Sequence, residues 1–163
     1  MAKQRLSKNL KLYKVKNYPF LKRKRSHRKH TVVVGVGGNI GNMIKRFQKL
    51  YIYLEKSNSF DIVETAPVLE NPPFGFLNQP HFFNTVMILK TNLNPHQTLK
   101  ALLRIEKKFK RKRLFKDSPR TLDLDIIFFD KISYFKKDLI IPHKGYHERE
   151  SVLIPLSFIR STV

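Results

Sequence analysis

Residues 118–129 have the sequence SPRTLDLDIIFF, and most of this stretch has the pattern of a β-strand. Apolar residues occupy every second position from Leu122 to Phe128, which predicts one face packed on a core. Asp123 and Asp125 fall between them, on the opposite face and about 6.5–7 Å apart along the chain. Because two such carboxylates repel each other and are costly to desolvate, lysine, arginine or divalent cations must neutralise them.

The elements around this strand predict the fold class. The segment 66–80, rich in proline and glycine, is predicted to be a long loop, and residues 130–142 a hairpin. The order βαββαβ, with an added hairpin and a short last helix interrupted by Pro155, matches an α+β fold of the ferredoxin-like split β-α-β type, an antiparallel sheet with helices packed on it. Strands are predicted at 31–34, 60–65, 81–91 and 122–129, and helices after the capping residues Asn42 and Asn94.

The positive charge of the chain lies unevenly along it. The 163 residues carry a formal charge of +21, which favours polyanionic partners such as nucleic acid, acidic membranes or phosphorylated small molecules. Residues 1–30 hold twelve of the 33 Lys and Arg residues, none of the 12 acidic ones, and no sustained periodicity. We therefore expect a flexible basic extension over 1–30 and one ordered domain over 31–163, with the extension dispensable for turnover.

Other global features restrict the class of protein. The chain has no cysteine, which excludes disulfides and thiolate metal sites. No apolar run approaches the ~18 residues that a membrane span needs. No apolar secretory segment is present at the N-terminus, so the expected location is cytoplasmic and no membrane partner is expected.

A basic segment directly precedes the acidic strand. It carries more positive charge than two carboxylates require, and a polyphosphate with Mg²⁺ would balance the excess. The reaction that this suggests is phosphoryl or pyrophosphoryl transfer, although no P-loop motif is present and GVGGNIG (35–41) is a weak dinucleotide fingerprint, better interpreted as a strand-to-helix turn. The basic residues are Lys110, Arg111, Lys112, Arg113, Lys116 and Arg120.

Each of these features also has a purely structural interpretation. The acidic pair could be salt-bridged on a solvated sheet face, 110–118 a solvated linker, Phe82 and Phe83 core residues, and His143 a structural histidine. The alternative function is a ferredoxin-like nucleic-acid-binding module with a basic arm. It explains the charge, but carboxylates on the sheet would repel a phosphate backbone, and no RNP1-type run is present.

Five segments together resemble a known family. They are GGNIGN (37–42), QPHFFN (79–84), RIE (104–106), PRTLDLDI (119–126) and PHKGYHERESVLIPL (142–156). Their order and spacing resemble 6-hydroxymethyl-7,8-dihydropterin pyrophosphokinases over residues 32–158. The resemblance implies Mg²⁺-dependent transfer of pyrophosphate from ATP to the pterin hydroxymethyl group in folate biosynthesis, with release of AMP. It also implies two Mg²⁺ ions and small-molecule substrates; we expect a monomer, with nucleic acid as a partner only through the basic arm.

The resemblance also implies roles for individual residues. Asp123 and Asp125 would hold the metal ions and, with Arg111 and Arg120, form the catalytic set. Contacts to ATP are implied for Glu106, Arg111, Arg113, Arg120, Ile126 and His143. Contacts to the pterin are implied for Thr65, Ala66, Pro67, Val68, Phe82, Asn84 and Arg149.

Several positions depart from the family pattern. Asp117-Ser118 replaces the Trp-Gly that usually ends the loop, and Lys144 follows Pro-His where a tyrosine is frequent. Ser151 stands where a phenylalanine usually stacks on the pterin, and Phe74 and Phe76 are the candidates to replace it. These departures raise a third hypothesis, an inactive family member retained as a partner of the next folate enzyme.

Overall fold

The computed structural model describes residues 1–163 and contains ten strands and three α-helices. A short 3-10 turn, Tyr146–Glu148, precedes the last helix. The strands are β1 Ala2–Arg5, β2 Lys11–Lys14, β3 Phe20–Leu21, β4 His30–Gly38, β5 Phe60–Thr65, β6 Val68–Asn71, β7 Phe82–Thr91, β8 Asp123–Phe129, β9 Tyr134–Lys136 and β10 Leu139–Ile141; the helices are α1 Met43–Glu55, α2 Pro95–Lys108 and α3 Glu150–Leu156.

Eight of the strands form one antiparallel sheet. Its order is β1-β2-β6-β7-β4-β8, and β5 pairs with the second half of β7 while β6 pairs with the first half. Strand β3 extends the sheet beyond β5, and β9 and β10 form the separate hairpin. The α+β, ferredoxin-like prediction is confirmed, because β4-α1-β5 and β7-α2-β8 give the two expected halves around a central β4–β7 pair.

Both long helices cover the same face of the sheet. Asn42 accepts a hydrogen bond from Lys45 N at the start of α1, and Asn94 and Gln97 form a capping box at the start of α2. Phe47 and Leu50 of α1 are fully buried there, in a core that the valines of β4 share. Helix α3 packs on the opposite face and buries Val152. No helix is both long and apolar enough to cross a bilayer.

A β-bulge corrects the predicted pattern of β8. The alternation holds from Leu122 to Ile126, which all face the larger core. The register with β4 then shifts at Ile127, so that Phe128 packs beside Tyr146 on the face of α3 and Phe129 returns to the larger core. An extra residue in one strand reverses the side-chain phase beyond it, which places Phe128 on the face opposite to the prediction.

The N-terminal residues are part of the sheet, contrary to the expectation of a flexible extension. Strand β2 pairs with β6, and β3 pairs with β5. Leu12 is 1% exposed and Tyr18 is fully buried, with its hydroxyl donating to Phe47 O at 2.6 Å. Burying side chains of this size stabilises the fold by roughly 1.5–3 kcal/mol each, so this segment contributes to the core. The partner of β2, strand β6, spans Val68–Asn71, so the segment 66–80 that was predicted to be a loop contains a strand.

Candidate active site

The candidate site lies at the edge of the sheet where β4 ends between the first residues of β7 and β8. Asn84, Gly37 and Asp123 occupy neighbouring positions across the three strands, and Asp125 pairs with Gly35. Two strand spacings separate the Asn84 and Asp123 backbones by about 10 Å. Neither glycine has a side chain on this face, so neighbouring side chains lie close over the backbone there: Ile127 over Gly35 and Asn84 over Gly37. A Cβ at Gly37 would lie 2.5 Å from Asn84 Oδ1.

Asp123 is held by two arginines. Arg111 Nη1 donates to Oδ1 at 2.8 Å, and Arg120 Nη1 donates to Oδ2 at 3.0 Å. Arg111 also donates to Leu122 O at 3.1 Å, and its side chain is only 8% exposed. Both guanidinium groups therefore bind the Asp123 carboxylate at the start of β8.

Asp125 has a very different environment from Asp123. Its side chain is 42% exposed and makes no hydrogen bond, and its one ionic neighbour within 4 Å is His143 Nε2 at 3.9 Å. Asp123 and Asp125 share one face, as the alternation predicts. One carboxylate is thus neutralised by arginine, whereas the other is open to a cation from solution.

Three carboxylates meet at this edge and perturb one another. Although its side chain is partly exposed, desolvation by the surrounding protein, followed by repulsion from Asp123 and Glu106, raises the pKa of Asp125 to about 7. Although burial opposes it, the charges of Arg111 and Arg120 lower the pKa of Asp123. A cation bound at Asp125 would therefore favour the ionised form of this carboxylate, which the protein alone disfavours.

Glu106 links α2 to the acidic strand. It is 3% exposed, its Oε1 accepts a hydrogen bond from Leu124 N at 2.8 Å, and its Oε2 lies 3.7 Å from Arg113 Nη2. Burial raises the pKa of Glu106, while the hydrogen bond from Leu124 N opposes this shift. Since Leu124 lies between the two aspartates, the Glu106 contact fixes the backbone that carries both of them.

The imidazole of His143 and the guanidinium of Arg149 approach Asp125 from the C-terminal segment. His143 is joined to β8 through its backbone N–H, which donates to Ile127 O at 2.9 Å. Burial and the nearby charge of Arg149 lower the pKa of the His143 imidazole. Arg149 occupies the N-cap position of α3.

The carboxylates suit a hard divalent cation but do not form a complete metal site. No group of three or more Asp, Glu, His or Cys side chains is arranged to hold a metal ion. Two carboxylates that leave the other coordination positions to water and phosphate oxygens are the donor set expected for Mg²⁺ with a nucleotide. The residues present therefore fit Mg²⁺ bound together with a polyphosphate.

Comparison with known proteins identifies the family. The profile described as 7,8-dihydro-6-hydroxymethylpterin-pyrophosphokinase (HPPK) matches residues 33–161. Over 142 residues each, the chain is 39% identical to 2-amino-4-hydroxy-6-hydroxymethyldihydropteridine pyrophosphokinase of Helicobacter pylori and 43% identical to the protein so named in Campylobacter jejuni. These alignments cover 86% and 87% of this chain, and 87% and 90% of the two relatives. The chain belongs to the HPPK family.

Membership of the HPPK family makes the chain a diphosphokinase. It is also 37% identical over 127 residues to the folate synthesis bifunctional protein, mitochondrial, of Arabidopsis thaliana, where the alignment covers 78% of this chain and 23% of the relative. The matched region contains β4 to α3 almost completely, and therefore every side chain of the candidate site described above.

The structure brings most of the predicted site residues of the HPPK family together at one edge of the sheet. Phe82 is 8% exposed, and the Arg120 guanidinium lies 4.9 Å from its ring centroid. Asn84 donates to Asn71 Oδ1 at 2.7 Å and turns its own Oδ1 toward Gly37. The residues gathered around the cleft are Phe82, Asn84, Glu106, Arg111, Arg113, Arg120, Asp123, Asp125, His143 and Arg149.

Five predicted residues have side chains turned away from the cleft. Ile126 is 3% exposed in the larger core, so that only its backbone remains available. The segment Thr65–Val68 is buried, with Thr65 Oγ1 donating to Asn17 O and Thr85 Oγ1 donating to the carbonyls of Ala66 and Pro67. Any contact between this segment and an HPPK substrate therefore involves backbone atoms.

Asn39 is a positioning residue that the sequence did not reveal. It is 4% exposed; its Oδ1 accepts from Arg120 N at 2.9 Å, and its Nδ2 donates to Gln79 Oε1 at 2.9 Å and Pro80 O at 3.0 Å. Gln79 in turn donates to Asp117 O at 3.0 Å. The side chains of Asn39 and Gln79 thus fasten the loops at 72–81 and 110–120 to each other. Their place in the GGNIGN and QPHFFN segments was the only sequence signal.

The positions that depart from the HPPK pattern lie in these loops, in the turn after Pro142 and in α3. Phe76 stacks edge-to-face on Phe115 with ring centroids 5.3 Å apart, and Phe74 is 78% exposed. Asp117 lies against Gly75, where a Cβ would be 2.4 Å from its Oδ2. Tyr146 packs on Phe128 at 4.8 Å, four residues after Pro142. The contact between Phe76 and Phe115 therefore joins the two loops.

Proposed function

We propose that this chain transfers the terminal pyrophosphate of ATP to 6-hydroxymethyl-7,8-dihydropterin in the presence of Mg²⁺, releasing AMP. The family and the names of its members support a pyrophosphokinase of folate biosynthesis. One observation carries the finer assignment. Asp123 and Asp125 share a face beside Arg111 and Arg120, and Asp125 has no lysine or arginine within 4 Å, its one ionisable neighbour there being His143 at 3.9 Å. This arrangement is suited to a metal-bound triphosphate.

The arginines would bind the phosphate oxygens. Arg111 and Arg120 hold Asp123 through single guanidinium nitrogens, which leaves further N–H groups of each fork available. Arginine binds phosphate in bidentate fashion, and neutralisation of the phosphate charge is the main protein contribution to phosphoryl transfer. Arg113, 65% exposed beside Glu106, can extend toward the same phosphates.

The two aspartates would supply oxygen ligands for two Mg²⁺ ions. When Mg²⁺ is bound there, it neutralises phosphate charge and holds the reacting oxygens in line. Asp125 must be ionised for this role, and its raised pKa means that a cation has to displace a proton from it near neutral pH. Glu106 keeps the intervening backbone in place through Leu124 N.

The pterin would lie beside Asn84, on the face of the sheet that carries the two carboxylates. The Asn84 amide can both donate to and accept from a heterocycle edge, and the absence of a side chain at Gly37 lets this amide lie close against β4. Phe82 is the adjacent aromatic. In the reaction, the pterin hydroxymethyl group releases its proton to solvent and its oxygen forms a bond to the β-phosphorus of ATP. The bond between that phosphorus and the oxygen bridging to the α-phosphate breaks, so that AMP leaves. The remaining predicted contacts, and the monomeric state, stay predictions.

An assay of AMP formation tests this proposal. The purified chain is incubated with ATP, Mg²⁺ and 6-hydroxymethyl-7,8-dihydropterin, and nucleotides are separated by chromatography. We expect AMP to form only when both pterin and Mg²⁺ are present, and a chelator to stop its formation. ADP as the product would instead mean transfer of a single phosphoryl group and would contradict the proposal.

A pair of aspartate variants locates the activity. Asp125→Asn should lower the turnover number by about 10²–10³-fold, the range for loss of one charge-stabilising group. Asp138→Asn is the matched control, because Asp138 is 63% exposed on the β9–β10 hairpin and pairs with His96. Equal activity of the two variants would remove Asp125 from the reaction.

A further inference from the structure

The segment Lys22–Lys29, with the sequence KRKRSHRK, forms a strap across the far end of the sheet from the candidate active site. This basic strap connects β3 to β4 and runs beside β5 and the end of β7. Lys90 of β7, which faces it, lies six residues from Asn84. At the rise of a strand this is about 20 Å, so the strap is remote from the carboxylates.

The basic strap is fixed by its backbone and by two side chains. Lys22 N donates to Val63 O at 2.9 Å, and Lys29 N donates to Asn92 Oδ1 at 2.9 Å. Between these ends, Asp61 accepts from Ser26 Oγ at 2.6 Å and lies 3.2 Å from Arg28 Nε. The strap therefore follows a defined path along the sheet, and its other side chains are not needed to hold it there.

The charges of the basic strap greatly exceed the acid available to it. Lys22 pairs with Glu55 at 3.0 Å and Arg28 pairs with Asp61, which accounts for both carboxylates in contact with the strap. The remaining cationic groups have no carboxylate within 4 Å. They are Arg23, Lys24, Arg25 and Lys29 of the strap and Lys90 opposite it.

These unpaired groups surround concave space. A cleft of about 570 Å³ is lined by the strap together with Val63 and Lys90. A second cleft of about 340 Å³ lies between the strap and Asp61, Ile62 and Asn92. Both volumes lie within the range of small-ligand sites, and two adjoining clefts with the same cationic wall suit a ligand with successive phosphates.

An extended polyanion fits this surface better than a compact one. The cations follow the chain over eight residues, and both clefts are lined by that same run. A positively charged groove that follows the phosphate backbone is the electrostatic arrangement that binds single-stranded nucleic acid without sequence preference. A bilayer surface would contact protruding groups, whereas these line clefts.

We propose that the basic strap binds single-stranded nucleic acid through its phosphate backbone, without sequence preference. Arg23 and Arg25 contact phosphate oxygens in bidentate fashion, and Lys24, Lys29 and Lys90 contribute point charges along the clefts. The interaction is separate from the pyrophosphokinase reaction, because the two surfaces lie at opposite ends of β4 and β7.

A charge-reversal variant with a matched control tests the proposal. The probe is a fluorescently labelled oligothymidylate of about 20 nucleotides, and its anisotropy is measured with the full-length chain. Arg23→Glu/Lys24→Glu/Arg25→Glu should weaken binding more than about tenfold. It should also reduce the slope of log K against log salt by about 2, the value for three lost phosphate contacts. The control Lys131→Glu/Lys136→Glu/Lys137→Glu changes net charge equally at exposed positions of the β9–β10 hairpin and should bind nearly as the natural chain does.

Folding is checked independently of nucleic acid. Both triple variants should keep the natural rate of AMP formation and the natural melting temperature. The neutral variant Arg23→Gln/Lys24→Gln/Arg25→Gln should show an intermediate loss of affinity. If the charge-reversed strap variant does not fold, this neutral variant decides the outcome by the same comparison.

Three results would overturn the proposal. Equal weakening by the strap and hairpin variants would mean that net charge alone attracts the oligonucleotide. Binding of inorganic tripolyphosphate at the strap with no binding of the oligonucleotide would mean a small-anion site. Binding of vesicles containing phosphatidylserine, lost in the strap variant while the oligonucleotide does not bind, would mean a membrane-surface site.

Discussion

Both ends of strand β4 carry several cationic groups but differ in how their acids are used. At the Gly37 end, arginines stand among the three carboxylates of Glu106, Asp123 and Asp125. At the His30 end, Glu55 and Asp61 pair with the basic strap and Asp130 pairs with His30, so each of the three carboxylates has a partner. Mixed charges in a cleft suit a metal-bound phosphate ligand, whereas cations alone suit a phosphate chain. The placement of the few acidic residues therefore distinguishes the two surfaces.

The same difference appears within single ion pairs. Asp61 receives Ser26 and Arg28 and so fixes a backbone segment, which is a structural use of a carboxylate. Asp123 receives Arg111 and Arg120, each through one guanidinium nitrogen, in a cluster with two further carboxylates, Glu106 and Asp125. Positive charge alone does not show which use applies, because the arginines are similar in both places.

Removal of both site arginines should produce the largest effect. Arg111→Ala/Arg120→Ala leaves Asp123 unpaired and takes two guanidinium groups from the phosphates, so we expect turnover to fall about 10³-fold. Steady-state AMP formation measures the change. Arg104→Ala, an exposed arginine on α2 with no ion pair, is the control and should retain activity. A comparable loss in Arg104→Ala would show that charge in general, and not the site, supports the reaction.

Removal of Tyr18 tests whether the other end belongs to the core. Tyr18→Ala should lower the free energy of unfolding by about 3–5 kcal/mol, the range for large buried aromatics. Tyr18→Phe should cost about 1 kcal/mol, because only the hydrogen bond to Phe47 O is lost. Denaturant unfolding measures both, with exposed Lys16→Ala as the control.

Because Tyr18 and Leu12 are core residues, deletion of residues 1–30 should destabilise the protein, contrary to the expectation from sequence. Unchanged stability after the deletion would mean that this segment does not contribute to the fold.

Substitution of adjacent glycines separates the cleft from the fold. Gly37→Ala places a methyl group 2.5 Å from Asn84 Oδ1, so the amide must turn away, and the KM for the pterin should rise about tenfold. Gly38→Ala meets Thr121 O at 2.8 Å, a backbone atom that cannot move freely, and should instead cost about 1–3 kcal/mol of stability. Kinetics and thermal melting of the two variants distinguish these effects; an unchanged KM in Gly37→Ala would place the pterin elsewhere.

The smallest expected effects are pH dependences of opposite sign. The pKa of Asp125 is raised in the folded chain, so the natural protein loses stability as the pH rises from about 4 to about 7, and Asp125→Asn should melt at a higher temperature than the natural protein at pH 8. The hydrogen bond from Ser26 and the charge of Arg28 lower the pKa of Asp61. That carboxylate therefore stabilises the fold above its ordinary pKa, and Asp61→Asn should melt lower at pH 8. Both differences should shrink toward pH 3. Melting curves in metal-free buffer measure them, and shifts of the same sign would mean that the two carboxylates are equivalent.

Local sequence patterns predicted the main elements because each depends on neighbouring residues. The caps Asn42 and Asn94, the apolar face of α1, and the placement of Asp123 and Asp125 on one face all follow from short-range spacing. The bulge at Ile127 did not follow, since it depends on how β8 pairs with β4. Periodicity extrapolated from Leu122 therefore placed Phe128 wrongly.

The features that were missed depend on contacts between distant segments. Strands β1 to β3 are at most four residues long and bury few side chains, so they give no periodic signal, although Tyr18 inserts under α1. Asn39 is ordinary in sequence, and it becomes a positioning residue only because Arg120 and Gln79 meet it in space. The reactive groups of a site can be recognised from residue type and spacing, whereas the residues that fasten its loops cannot.

The hydrogen bond from Leu124 N to Glu106 also affects association between molecules. Strand β8 has a sheet neighbour on one side only, which normally leaves a row of free amide and carbonyl groups that can recruit another polypeptide. Here Leu124 N is taken by the Glu106 carboxylate and Ile127 O by His143 N. The opposite border, β1, is four exposed residues that include Lys3 and Arg5. The β8 and β1 borders are thus protected against edge-to-edge pairing, one by hydrogen bonds and the other by charge, and the third edge strand, β3, is only two residues long.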